Sequence, residues 1–94
     1  MKEYYIYIMT NYPRRTVFYT GVTNSLYHRA YQHTQSRGSS SFTEKYNVNR
    51  VIYTEIYYSI LEAIEREKQI KRWSRKKKLE LIKSINPDFD DLLR

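Results

Sequence analysis

Glu67 is the residue that most restricts what this chain can become. It lies in the run from Ser59 to Trp73, SILEAIEREKQIKRW. Ser59 followed three residues later by Glu62 is a helix-start signature, because the serine oxygen can cap the exposed amides of the first turn. Ile60, Ala63, Ile64 and Ile70 then recur at helical spacing and mark an inward stripe. At about 100° per residue, Glu67 falls in the middle of that stripe. A carboxylate there loses solvation worth several kcal/mol unless a partner compensates. Two partners satisfy the requirement: a buried arginine in a structural ion pair, or a divalent cation shared with a substrate phosphate.

The rest of the chain supplies one small domain, expected over residues 1–94, with enough length for one modest core. There is no cysteine, which removes disulfide frameworks and thiolate zinc sites. No apolar run approaches the ~20 residues of a membrane span, so a cytoplasmic chain with no membrane association is expected. Seventeen Lys and Arg against ten acids leave a charge of +7, which predicts a polyanionic partner, nucleic acid first.

In order along the chain, Tyr4 to Met9 reads as a strand, with Tyr5, Tyr7 and Met9 on one face and Tyr4, Ile6 and Ile8 on the other. Asn11 and Pro13 are turn residues, and Arg14 and Arg15 are expected in solvent. Val17 to Val22 is a second strand, antiparallel to the first. A turn centred near Pro13 makes Tyr7 and Tyr19 cross-strand neighbours. Gly21 would then leave a notch on the same face, open to a ligand. Ser25 to about Gln35 reads as a helix with Leu26, Ala30 and either Tyr27 or Tyr31 inside, which stacks Arg29 and His33 on one side. A polar loop, SRGSSS, follows, and Phe42 to Tyr46 suits a helical turn. Arg50 to Tyr58 is a third strand, with Val51, Tyr53 and Glu55 alternating against Ile52, Thr54 and Ile56. The Glu67 helix comes next, then another restarting at Ser74 through Leu79, Ile82 and Ile85 until Pro87 ends it. Lys68, Lys71, Arg72 and Arg75 to Lys78 gather charge at the junction of these two helices. The expected architecture is an α/β (α+β) domain: a three-stranded antiparallel sheet flanked by helices, in the order β-β-α-β-α-α.

YIY at Tyr5 to Tyr7, YTG at Tyr19 to Gly21, an arginine in the next helix and the inward glutamate of IERE form an ordered set. This set resembles the GIY-YIG nuclease superfamily, and EKQIKRWSR resembles the small stand-alone bacterial members. Tyr5 departs from the usual glycine and Thr20 from the usual middle residue of the second motif; neither is a reacting group.

The resemblance implies a metal-dependent endonuclease cutting phosphodiester bonds, in DNA rather than RNA. It implies catalytic roles for Tyr7, Tyr19, Arg29, His33 and Glu67. One Mg²⁺ or Mn²⁺ would sit on Glu67, and Arg29 would grip the phosphate. Tyr7, assisted by Tyr19, would serve as base once Arg29 and the cation lower its pKa, with His33 as the other candidate. Gly21, Lys45, Lys68, Lys71, Arg72, Arg75 and Asn86 are the expected substrate contacts, and a monomer the expected state. The alternative is a binding module that keeps the fold with little turnover; its basic patch and tyrosines suffice for sequence-independent binding.

Overall fold

The computed structural model describes residues 2–35 and 48–93, with the side chains of 32–35 outside that description. Three strands, β1 (Tyr4–Thr10), β2 (Phe18–Thr23) and β3 (Arg50–Tyr57), form an antiparallel sheet in the order β2-β1-β3. Three helices complete the order: α1 (Leu26–Gln35) after β2, then α2 (Ile60–Arg72) and α3 (Arg75–Lys83) after β3. The architecture is the expected one. The loop SRGSSS, the Phe42–Tyr46 segment and Lys45 lie outside the described residues.

β1 is the central strand and is buried from Ile6 to Thr10. Its two faces feed two cores. Ile6 and Ile8 join Ile52, Tyr53, Ala63, Ile70, Ile82 and Phe89 under α2 and α3. Tyr7 and Met9 join Val48 and Val51, covered by Leu26 and Ala30 of α1 and by Leu93. Each fully buried Ile contributes about 1.5–3 kcal/mol relative to an exposed one, so the first core carries most of the stability.

The β1–β2 pairing is centred on Arg14, one residue beyond the expected turn, so Tyr7 stands opposite Gly21 and Met9 opposite Tyr19. Asn11 is the cause. Its Oδ1 accepts from the amides of Thr16 (2.9 Å) and Val17 (3.1 Å), while its Nδ2 donates to Thr16 Oγ1 at 2.6 Å. Those bonds hold a wider loop than a turn at Pro13 allows, with Arg15 at φ 55°. Because the offset is even, every side chain keeps its predicted face. Arg15 is exposed, as expected, and its guanidinium also covers the Phe89 ring at 5.1 Å.

On β3 the expected alternation breaks. Ile8 pairs with Tyr53 and Met9 with Val51, leaving Ile52 as the extra residue of a bulge. Tyr53 and Glu55 therefore share the α2 side of the sheet, while Val51 points to the α1 side. Asn86 secures the bulge: its Nδ2 donates to the carbonyls of Ile52 and Asp90, both at 2.9 Å, and its Oδ1 accepts from the Asp90 amide at 3.0 Å.

Both helix starts follow their caps. Ser59 Oγ accepts from the Glu62 amide at 3.4 Å, and Ser74 Oγ from the Lys77 amide at 3.2 Å. Three apolar assignments need correction. Ile60 opens α2 and Ile85 lies two residues beyond the end of α3, and both are exposed; on α1 neither Tyr27 nor Tyr31 joins the inner face, since both are exposed. No helix among the described residues is long and apolar enough to cross a membrane.

Candidate active site

Tyr7 is the centre of the site. Its ring lies across Gly21 so closely that a Cβ there would meet Cζ at 2.5 Å and Cε1 at 2.9 Å. The glycine notch is thus filled by Tyr7, where the sequence suggested an opening for a ligand. The direct pairing of Tyr7 with Gly21 is the reason. β2 is an edge strand, so a ring crossing it carries its hydroxyl toward the rim of the sheet.

Tyr19, two residues before Gly21 on the same face, approaches Tyr7 diagonally with ring centroids 6.2 Å apart. The two hydroxyls are hydrogen-bonded. Burial and three neighbouring groups act on the Tyr7 proton. Burial raises its pKa well above the ordinary tyrosine value, and Tyr19 adds to the rise. The Arg29 guanidinium opposes it, and the Glu67 carboxylate raises it again. Arg29 and Glu67, from two helices on opposite faces of the sheet, therefore both act on one phenol. Arg29 pulls in the direction expected of it, and burial outweighs that single contribution.

Glu67 fulfils its placement between Ala63 and Ile70, both fully buried. Its side chain is only 17% exposed, and its ion-pair partner is Lys71 of its own helix at 3.6 Å. The structural arginine considered from sequence is absent here among the described residues. A long, half-exposed lysine contact leaves the carboxylate oxygens available to a cation. Magnesium is commonly bound through one or two carboxylates, with phosphate and water completing its shell. The described residues hold no cluster of three or more metal-ligating side chains. Glu67 therefore fits a single ion shared with a phosphate, and does not fit a carboxylate cage for two.

His33 lies in the last turn of α1, and its side chain is outside the described residues, as is Lys45. Lys68, Lys71 and Arg72 are exposed on α2. Arg75 is engaged differently: its guanidinium donates to the carbonyls of Thr16 (2.8 Å) and Arg15 and packs on Phe18 at 4.5 Å. It ties α3 to the β1–β2 loop, a structural task for a residue that stays exposed. Asn86, buried and committed to Ile52 and Asp90, likewise serves the fold.

Sequence reasoning missed a second carboxylate. Glu55 on β3 receives Nε and Nη2 of Arg66 at 2.9 and 2.8 Å, and the hydroxyls of Tyr53 and Tyr57. Burial pushes its pKa up, but these four donors outweigh burial and hold it below the ordinary glutamate value. Arg66 in turn faces Trp73 at 5.0 Å. The signal was available: Tyr53, Glu55 and Tyr57 alternate on one strand face, and Arg66 lies three residues after Ala63.

A hairpin tyrosine pair, an arginine on the following helix and one glutamate on a later helix define the class. Residues 3–80 match the GIY-YIG catalytic domain, and the chain belongs to the GIY-YIG family, whose domain is that of nucleases. Its relatives include UPF0213 proteins. It is 31% identical over 88 residues to one from Syntrophus aciditrophicus, covering 94% of this chain and 98% of that one. It is 33% identical over 82 residues to one from Staphylococcus saprophyticus, covering 87% and 96%. The solution NMR structure of a UPF0213 protein from Bacillus halodurans matches with a TM-score of 0.56 at 25% identity, covering 95% of this chain and 92% of that one.

Proposed function

We propose that this protein is an endonuclease that hydrolyses phosphodiester bonds, in DNA ahead of RNA, with one Mg²⁺ or Mn²⁺ held by Glu67. The observation that carries the reading is the Tyr7–Tyr19 ring pair beside Gly21, with Arg29 and Glu67 near enough to act on the Tyr7 hydroxyl. A bound ion would neutralise charge on the phosphate and on the departing 3′ oxygen. Arg29 offers a planar fork of donors to the non-bridging oxygens of the same phosphate. Burial favours the protonated form of Tyr7, which suits it to donate a hydrogen bond and fix the geometry. Tyr19, its hydrogen-bond partner, is the phenol we assign to the attacking water. That reverses the order expected from sequence, and burial of Tyr7 is the reason. Exposed Lys68, Lys71 and Arg72 would carry flanking phosphates, with affinity falling as salt rises.

Burial of Tyr7, which opposes its ionisation, also favours a second reading, a binding module with the nuclease fold and little turnover. Incubation with branched, nicked, single-stranded and duplex DNA, with and without Mn²⁺, separates the two. The nuclease reading expects metal-dependent products that disappear in Arg29→Ala. Binding without products on every substrate supports the module.

A further inference from the structure

α1 carries more aromatic surface than its packing uses. Leu26 and Ala30 face the Tyr7–Met9 core, yet Tyr27 is 71% exposed and Tyr31 is 65% exposed. A tyrosine left that far in water contributes little burial, and tyrosine is a weaker helix former than Lys, Glu or Gln. One such residue on a surface is ordinary. Two at i and i+4 are different, because that spacing puts both rings on one flank, about 6 Å apart along the axis. The helix, LYHRAYQHTQ, contains no carboxylate. It also carries Arg29, which lies roughly 160–200° round the axis from the two rings. Exposed His28 occupies the solvent face between Arg29 and the rings.

We infer that Tyr27 and Tyr31 form a stacking platform for unpaired bases, so that the substrate is single-stranded or frayed where it crosses α1. The inference rests on the nuclease reading for the position of the phosphate, and deepens it by naming a substrate class. A helix is about 10–12 Å across, so a strand whose phosphate lies at Arg29 reaches the rings within a few nucleotides. Bases inside a duplex have their faces covered by neighbouring pairs and cannot stack on a protein ring. Splayed bases can, and every base offers such a face, so the contact selects unpaired structure over sequence. The positive charge of the chain and the lack of acid on α1 suit the polyanionic strand.

The test measures binding of the full chain to a labelled single-stranded oligonucleotide and to the matching duplex by fluorescence anisotropy. Divalent ions are removed with EDTA, so the result does not depend on cleavage. Tyr27→Ala and Tyr31→Ala are each expected to weaken single-strand affinity by about five- to a hundredfold, the range of one lost base–aromatic stack. Duplex affinity should change by less than about twofold, because no free base face is lost. Phenylalanine at either position should restore single-strand binding; leucine, which keeps bulk without a π-face, should not. Equal losses on both nucleic acids, or full affinity in the leucine variants, would overturn the inference. A protein that never cuts could still pass this test, and one that cuts duplex DNA well could fail it, so the two readings stand or fall separately.

Discussion

The Tyr7 ring occupies the space a side chain would need at Gly21, directly across the β1–β2 pair. One residue's bulk and the other's lack of it form a single unit at the rim of the sheet. Gly21→Ala must therefore displace Tyr7, since backbone on the facing strand cannot withdraw. We expect a loss of about 1–3 kcal/mol, the usual range for overpacking, in urea unfolding. Cleavage should fall further than the remaining folded fraction explains, because the Tyr7–Tyr19 contact is disturbed. Unchanged stability and activity would mean that the ring moves aside freely.

Thr20, next to that glycine, points to the opposite face, and its Oγ1 is buried with no hydrogen-bond partner. Thr20→Val removes the orphan hydroxyl and keeps shape, so unfolding free energy should rise by about 1 kcal/mol. Metal-dependent cleavage should persist. Destabilisation in the same urea experiment would show that the hydroxyl has a partner in solution.

The Glu55–Arg66 pair predicts a pH dependence. Glu55 is held below its ordinary value in the folded chain, so its stabilisation is present above the ordinary glutamate pKa and is lost as pH falls through the lower folded value. Glu55→Gln should cost about 1–2 kcal/mol near neutrality, a figure reduced because both partners are partly solvated. The variant's stability should then fall less steeply than the wild type's on acidification. Parallel acid-unfolding curves would assign the slope to other carboxylates.

Asn86 separates a structural task from a substrate contact. Asn86→Ala leaves the Ile52 carbonyl at the bulge without its donor, at a cost of about 1–3 kcal/mol. Metal-free affinity for nucleic acid should be unchanged once the protein is folded. Lost affinity with full stability would restore the substrate role.

The tyrosine face and the inward glutamate were legible because both depend on period: two residues per turn of pleat for Tyr5, Tyr7 and Met9, and 3.6 for Ala63, Glu67 and Ile70. What the pattern left open was offset. A side-chain clamp by Asn11 set the hairpin centre, and an inserted Ile52 redirected Val51, and neither changes composition. The Glu55 cluster depends on that same bulge, since it brings Tyr53 and Glu55 under α2. Phe89 is an aromatic among tail acids, at φ 57°, and only tertiary packing shows it as core. The opposition of burial to Arg29 at Tyr7 was not legible, because it cannot be weighed before the ring is placed.

The most direct measurement is single-turnover cleavage as Mn²⁺ is titrated, for the wild type and Glu67→Gln, with metal-free affinity for the same strand measured alongside. The account predicts saturable Mn²⁺ dependence in the wild type and a loss of about a hundredfold or more in the variant, comparable to losing one group that stabilises transition-state charge. Affinity in the variant should be preserved or slightly increased, since one negative charge is gone. Equal cleavage by the two proteins at every Mn²⁺ concentration would contradict it.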